Sequence, residues 1–240
     1  MLLPAKILGK FGFLFLVSLP LLSFAQLADD EWFYGLRAGA TYSQIDGIST
    51  SLIRPIYPEE TYTTALESTV GFTAGAFVYM RFNKSKFAIQ PEIGYADMGG
   101  RFLYSDINDF EYNIDFRYNY LRLVPAIKFY PAAGLNITVG SSVGFILNAE
   151  RLDYTSNKPE LGPDLQIQQS LRQALKGRGN VGLVLGAGYE LPMGLGLDVR
   201  YIYGFADVIE TQANGFYFIE SKNANTTIEA TLSYAFPFFR

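Results

Sequence analysis

The amino-acid sequence predicts an all-β fold, namely an eight-stranded antiparallel up-and-down transmembrane β-barrel. Three observations predict it. Eight segments of about 10 to 14 residues alternate apolar with polar side chains, and this length crosses a bilayer at the usual strand tilt. The links between the segments alternate strictly between short and long, and the apolar faces carry almost no charge.

The beginning of the chain has the organisation of an export signal. Two lysines precede an apolar stretch at residues 11–22, and the small residues Ser23 and Ala25 occupy the positions that a signal peptidase reads. A membrane-anchoring helix is disfavoured because the stretch is shorter than the ~20 residues of a span and contains a proline. We therefore predict a signal peptide at residues 1–25 and an exported barrel domain at residues 26–240.

The composition excludes several classes of function. The 240 residues contain no cysteine and no histidine, so disulfides, thiol chemistry and the commonest general base are absent. Without the two signal-peptide lysines, 17 of the 19 basic residues remain against 23 acidic ones, a net charge of −6. That charge argues against a nucleic-acid partner. We predict no catalytic residues, no cofactor and no metal site.

Four of the alternating segments occupy the first half of the mature chain. Successive strand residues point to opposite faces, so each segment has one apolar face and one small, polar or charged face. Leu36, Phe72, Ile93 and Leu121 lie on the four apolar faces. The segments are WFYGLRAGATYSQ (32–44), TVGFTAGAFVYMRF (69–82), FAIQPEIGYAD (87–97) and NYLRLVPAIKFY (119–130).

Four further segments follow in the second half. The seventh of the eight places Val199 on its apolar face and both Asp198 and Arg200 on the other face, so one side is apolar and the other ionic. The four segments are LNITVGSSVGFILN (135–148), NVGLVLGAGYEL (180–191), GLGLDVRYIYG (194–204) and TTIEATLSYAF (226–236).

The lengths of the links indicate how the strands cross the membrane. Outer-membrane barrels have short periplasmic turns and long outer loops, whereas soluble meanders keep most hairpin loops short. The short links are residues 83–86, 131–134 and 192–194, and the long links are residues 45–69, 98–118, 149–179 and 205–225.

The distribution of charge decides which face meets lipid. The opposite register would direct five basic side chains at hydrocarbon, at about 2–4 kcal/mol each near the midplane and on the order of 10 kcal/mol in total. With the apolar faces outward, five basic and four acidic side chains nearly balance inside, and the narrow interior disfavours an open pore. The predicted interior polar network is Arg37, Arg81, Glu92, Arg122, Lys128, Glu190, Asp198, Arg200 and Glu229.

A soluble, lipocalin-like cup is the alternative fold. Its apolar face would point inward around a ligand, and its outer face would need many charged side chains for solubility. The polar faces here are mostly glycine, serine, threonine and asparagine. The sequence therefore favours the membrane barrel.

Two short motifs have structural interpretations. GRGNVG at residues 177–182 fits G-x-G-x-x-G, but a helix-like stretch precedes it and a strand follows, so we predict a loop-to-strand turn. DINDFEYNID at residues 106–115 is acidic, yet it lacks the glycine and the terminal glutamate of the standard calcium loop. We interpret it as a solvated acidic loop, with calcium binding as the alternative.

Two long links carry candidate contact surfaces. Residues 163–176 predict a short amphipathic helix that either docks a partner or packs on the rim of its own barrel. Residues 215–220 either form an apolar contact patch or extend the last two strands. The candidate contact side chains are Ile167, Leu171, Leu175, Phe216 and Phe218.

A set of phrases extends over nearly all of the mature chain. They are YGLRAGATYS, GFTAGAFVYMRF, IQPEIGYADMGG, YNYLRLVPAIKFYP and IEATLSYAF, after the FAQ sequence at the predicted signal-peptide boundary. Together they resemble the PorT-like small outer-membrane barrels of Bacteroidetes. Barrel-assembly signals typically end in an aromatic residue, and here Arg240 follows Phe239, a small departure.

The resemblance implies an eight-stranded barrel in the outer membrane without enzymatic activity. The name-giving member is associated with type IX protein secretion, which implies envelope or secretion-system proteins as partners in addition to outer-membrane lipid. Two other hypotheses stay open: a barrel that binds a ligand or surface through its long loops, and a small-solute channel.

Overall fold

The computed structural model describes five stretches of the chain, residues 31–48, 62–83, 85–158, 164–211 and 222–237. The predicted signal peptide lies outside them. The twelve strands are β1 (Glu31–Asp46), β2 (Tyr62–Glu67), β3 (Thr69–Arg81), β4 (Phe87–Asp106), β5 (Glu111–Phe129), β6 (Leu135–Ile146), β7 (Leu152–Ser156), β8 (Leu175–Gly177), β9 (Asn180–Glu190), β10 (Leu195–Gly204), β11 (Ile209–Thr211) and β12 (Ala224–Pro237). Among the described residues, the helix α1 spans Asp164–Ala174.

Eight of these strands close into an antiparallel barrel, in the order β1, β3, β4, β5, β6, β9, β10 and β12. The last strand pairs with the first, with Ala40 opposite Ala230, so the ring has no free edge. Each ring strand overlaps one predicted segment. The predicted eight-stranded fold is therefore confirmed.

The barrel has the predicted register. Val199, near the middle of β10, is 50% exposed on the outer face, whereas its neighbour Arg200 is 2% exposed inside. The same alternation runs along the other ring strands, whose exposed side chains are mostly large and apolar. No helix in the described part of the chain is long and apolar enough to cross a membrane.

The two ends of the barrel differ, and we name them the short-turn end and the extension end. The short-turn end carries the three short links. Gly134 and Gly194 have φ angles of +77° and +88° there, in the left-handed region that favours glycine. Outward aromatic pairs lie near this end, among them Tyr34 with Phe236, whose ring centroids are 5.4 Å apart. Such pairs are typical of the aromatic girdle at a membrane boundary.

The extension end corrects one prediction. Residues 98–118 are not a loop, because β4 and β5 continue as one paired hairpin as far as Ser105 and Glu111. Strand β2 pairs with β4 and β7 pairs with β5, which gives a four-stranded sheet beyond the ring. The predicted segments stop at Asp97 and begin again at Asn119, whereas the paired backbone continues through Phe102 and Tyr104.

The link at residues 149–179 is also structured. It contains β7, the predicted helix as α1, and β8, which pairs with β11. The GRGNVG motif runs from the end of β8 into β9, in agreement with a loop-to-strand connection. These elements and the hairpin bury an apolar cluster, here named the outer apolar core. It comprises Ile45, Ile48, Ala96, Met98, Phe102, Ile114, Phe116, Tyr118, Tyr120, Leu152, Tyr154, Leu171, Ala174, Leu175, Val208 and Ile209.

The register generates a stability prediction. We expect Val199→Arg to lower the free energy of unfolding in lipid vesicles by about 2–4 kcal/mol, because the guanidinium would face hydrocarbon. The control is Leu165→Arg on α1, at a side chain 72% exposed beyond the ring. Denaturant titration followed by tryptophan fluorescence measures both variants, and equal effects would contradict the lipid-facing register.

Candidate functional site

The barrel interior holds a first ionic cluster of three arginines and two glutamates from five strands. The Arg200 guanidinium binds Glu92 in a bidentate manner, with N–O distances of 2.7 and 2.8 Å. Arg37 bridges the two carboxylates, at 2.5 Å from Glu92 Oε2 and 2.7 Å from Glu229 Oε1. Arg122 donates to the other oxygen of Glu229. All five side chains are buried.

A second ionic cluster lies nearer the short-turn end. Lys128 Nζ is 2.6 Å from Glu190 Oε1 and 3.5 Å from Asp198 Oδ1. The Tyr130 hydroxyl donates to Glu190 Oε2 at 2.9 Å, and Asn136 Nδ2 approaches Oε1 at 3.4 Å. Both oxygens of Glu190 therefore have partners, and its carboxylate is held in place by three side chains.

The two clusters are neutral only when taken together. Three arginines against two glutamates leave one positive charge in the first, and one lysine against two carboxylates leaves one negative charge in the second. Asp198 and Arg200 join the clusters because they lie two residues apart on the inner face of β10. Their position between the two clusters accounts for an ionic face on an otherwise apolar strand.

Glycines make room for these large side chains. A Cβ added at Gly186 would lie 2.8 Å from Arg200 Cγ, and one added at Gly188 would lie 2.4 Å from Asp198 Oδ1. Both glycines are on β9, directly opposite the charged residues of β10. Sequence reasoning missed this pairing, and it also missed Gln90, which donates to Glu92 Oε1 at 2.8 Å.

Arg81 departs from the predicted network. It is the last residue of β3, and its Nη1 atom lies 3.7 Å from Glu31 Oε2 at the short-turn end. Its Nε donates to the Ser85 carbonyl at 2.6 Å, and its guanidinium carbon lies 5.2 Å from the ring centroid of Tyr130. The interior clusters thus contain eight of the nine predicted residues. Arg81 lies at the short-turn end instead, because it is the last residue of its strand.

The helical contact residues also differ from the docking hypothesis. Leu171 and Leu175 are only 5% and 1% exposed because they pack in the outer apolar core, and Ile167 packs against it. The alternative, packing on the barrel's own rim, is what the structure contains. Leu171 and Leu175 are therefore not available to a partner in this conformation, whereas Ile167 is partly exposed. Phe216 and Phe218 lie outside the described residues.

Polar side chains of α1 hold the helix against β7. Gln168 Oε1 accepts a hydrogen bond from the Tyr154 amide at 2.9 Å, and Asp164 accepts from the Ser156 hydroxyl at 2.8 Å. Arg172 Nε donates to the Leu152 carbonyl at 2.8 Å. The helix therefore satisfies backbone and side-chain groups at the outer edge of the extension sheet, where an unpaired strand would otherwise be open.

The acidic segment at residues 106–115 is part of the hairpin. Asp106 accepts hydrogen bonds from the amides of Asn108 and Phe110 at 2.8 and 3.2 Å, which stabilises the turn. Asp115 pairs with Arg101 across the strands at 2.5 Å and raises the pKa of that guanidinium. Among the described residues, no group of three or more acidic side chains is placed to hold a metal ion.

Comparison with known proteins identifies the family. Residues 24–210 match the outer membrane protein beta-barrel domain, which is more than half of the chain. The chain belongs to this family and is an integral protein of the outer membrane. None of the curated proteins compared with it matches.

Three solved barrels illustrate the structural likeness. Neisserial surface protein A is 13% identical, with 85% of this chain and 97% of that chain covered and a TM-score of 0.43. OprG from Pseudomonas aeruginosa is 14% identical, with 87% and 98% covered and a TM-score of 0.42. Ail of Yersinia pestis is 13% identical, with 86% and 99% covered and a TM-score of 0.40.

The first ionic cluster generates a second stability prediction. We expect Glu92→Gln to lower the free energy of unfolding by about 3–5 kcal/mol, because two buried arginines lose a carboxylate partner. Glu67→Gln is the matched control, since Glu67 forms a half-exposed pair with Arg101 at 3.6 Å and such pairs contribute at most about 1 kcal/mol. Denaturant unfolding in vesicles measures both, and similar losses would contradict the role of the cluster.

Proposed function

We propose that this protein is a closed, non-enzymatic outer-membrane barrel that acts by contacting other envelope proteins. The observation that carries the proposal is the filled interior. Two mutually neutralising ionic clusters occupy it, and the outer apolar core covers its extension end. An eight-stranded ring has space for side chains and little else. Function then resides on the two ends of the barrel.

The interior carboxylates support a role without catalysis. Glu92 and Glu229 are each paired with two arginines, and Glu190 is held by Lys128 and Tyr130. A general acid or base must exchange a proton with a bound substrate. Carboxylates fixed in buried ion pairs are poorly suited to that task.

Within this class, we propose an accessory role in type IX secretion, which rests on the resemblance to PorT-like barrels. The extension sheet supports contact with other proteins, because its β2, β4, β5 and β7 strands form a hydrogen-bonded platform beyond the ring. The short-turn end faces the periplasm by the usual topology of outer-membrane barrels. The barrel would thus present ordered surfaces on both sides of the membrane.

The second candidate is binding of a ligand or surface by the extension sheet. A groove of about 530 Å³ lies on the outward face of that sheet. Its lining combines hydrogen-bonding side chains such as Thr63 and Asn113 with the aromatic rings of Tyr104 and Tyr112 and one carboxylate, Glu111. Hydroxyl and amide groups beside aromatic rings favour a ligand with several hydroxyl groups, such as a saccharide.

The filled interior predicts no ion conduction. We expect the purified mature protein to produce no current steps in planar lipid bilayers, because buried ionic side chains and the outer apolar core occupy the interior of the described part of the barrel. A preparation of a general porin in the same bilayers provides the positive control. Stepwise currents that scale with protein concentration would contradict the closed barrel and favour the channel hypothesis.

The secretion role predicts a change in exported proteins. Deletion of the gene is expected to deplete the culture medium of type IX substrates, which would accumulate in the periplasm, and quantitative proteomics of both fractions measures this. Complementation with the full gene is the control. An unchanged secretome would contradict the secretion role, and a concurrent loss of cell attachment would favour the extension-sheet candidate.

A further inference from the structure

A cavity of about 480 Å³ opens at the short-turn end of the barrel, on the inner side of the ring. Its lining includes Phe33, Phe77, Tyr79, Arg81 and Glu190. The second ionic cluster closes its inner side, so the cavity is a blind cup rather than a channel. Pockets that bind small molecules have volumes of about 300–1,000 Å³ and mostly apolar walls.

The apolar wall is an aromatic assembly built around one glycine. The Phe33 and Tyr79 ring centroids are 5.8 Å apart, and Tyr130 packs edge-on against Tyr79 at 6.3 Å. Phe77 lies across Gly35 so closely that a Cβ there would be 2.2 Å from its ring. Phe77, Tyr79 and Tyr130 are buried, which gives the cup a fixed shape.

The polar groups of the cup select the charge of a ligand. Glu190 already accepts from Lys128, Tyr130 and Asn136, so it has little capacity left for a ligand cation. The open face of Tyr130 is covered by the Arg81 guanidinium. A cation therefore finds neither a free carboxylate nor a free ring at the inner side of the cup. The other carboxylate of the lining, Glu31, is at the outer rim, 3.7 Å from Arg81 Nη1.

Arg81, in contrast, has donors to spare. A guanidinium carries five N–H groups. Among the described residues, Arg81 makes one hydrogen bond, from Nε to the Ser85 carbonyl, and its Nη1 lies 3.7 Å from Glu31, too far for a hydrogen bond. The remaining donors have the fork geometry that binds a carboxylate or phosphate through two parallel hydrogen bonds.

Apolar side chains continue from the cup to the rim. Leu191, Pro192 and Met193 form the turn between β9 and β10 and line the cavity, and Met193 is exposed. An apolar chain that starts at the aromatic wall can therefore continue over the apolar side chains of this turn. The site thus combines one anion-binding group with apolar surface that extends to the rim.

We propose that this cup binds a single-chain amphiphile whose anionic head pairs with Arg81 and whose apolar part packs against Phe33, Phe77 and Tyr79. The head is a carboxylate, as in a fatty acid, or a phosphate, as in a lysophospholipid. The site opens to the periplasm by the topology described above, and its occupancy does not depend on the secretion role.

The test measures binding of a fluorescent fatty acid, 11-(dansylamino)undecanoic acid, to the mature protein in lipid nanodiscs, with empty nanodiscs as the background. Saturable fluorescence enhancement above that background is expected. Dodecanoate and dodecyl phosphate should displace the probe, and their relative potency distinguishes the two head groups. Dodecylamine should displace it at least about tenfold less well, because Arg81 repels a cationic head.

Variants connect the binding to the cup. Arg81→Gln should weaken binding at least about tenfold, and Ala235→Phe, which adds a ring on the inner face of β12, should abolish it. Arg178→Gln is the control, because Arg178 is an exposed arginine paired with Glu210 at 3.4 Å on the extension end. Unchanged binding by Arg81→Gln, equal displacement by dodecylamine, or no signal above empty nanodiscs would overturn the proposal.

Discussion

The neutralisation of charge inside a closed ring is the constraint on which this structure depends. A buried guanidinium must have a carboxylate partner, since the cost of an isolated ion in the interior is several kcal/mol. The three arginines of the first ionic cluster are paired with only two glutamates, which leaves one positive charge. Asp198, two residues before Arg200 on the inner face of β10, supplies the negative charge that balances it. Strand register, glycine placement and the outward apolar surface all follow from keeping these groups inside.

The sequence was sufficient to predict the ring because alternation with a period of two residues indicates which side chains of each strand face outward and which face inward. The eight segments, the outward face of residues such as Val199 and the inward face of Arg200 all follow from that pattern. It was insufficient for Arg81, because alternation gives the face of a side chain and not its depth along the barrel. Depth depends on strand tilt and stagger, which only the pairing of neighbouring strands defines.

The extension end shows a different limit. A segment that is long enough to cross the bilayer does not indicate where its strand ends, and the hairpin of β4 and β5 continues beyond both predicted segments. The helix was predicted from its apolar periodicity, yet periodicity cannot distinguish a partner from the protein's own core. Leu171 and Leu175 lie in that core because the hairpin offers apolar surface within reach of the helix.

The ion pairs inside the ring connect residues that are distant along the chain. Arg37 and Glu229 are 192 positions apart, Arg200 and Glu92 are 108 apart, and the first and last strands of the ring both contribute. A nascent, unclosed sheet would hold these ions without their counterparts while its other side already touched acyl chains. These ion pairs can form only when distant parts of the chain meet, so we expect seam closure and ion pairing to coincide rather than to follow the order of the strands.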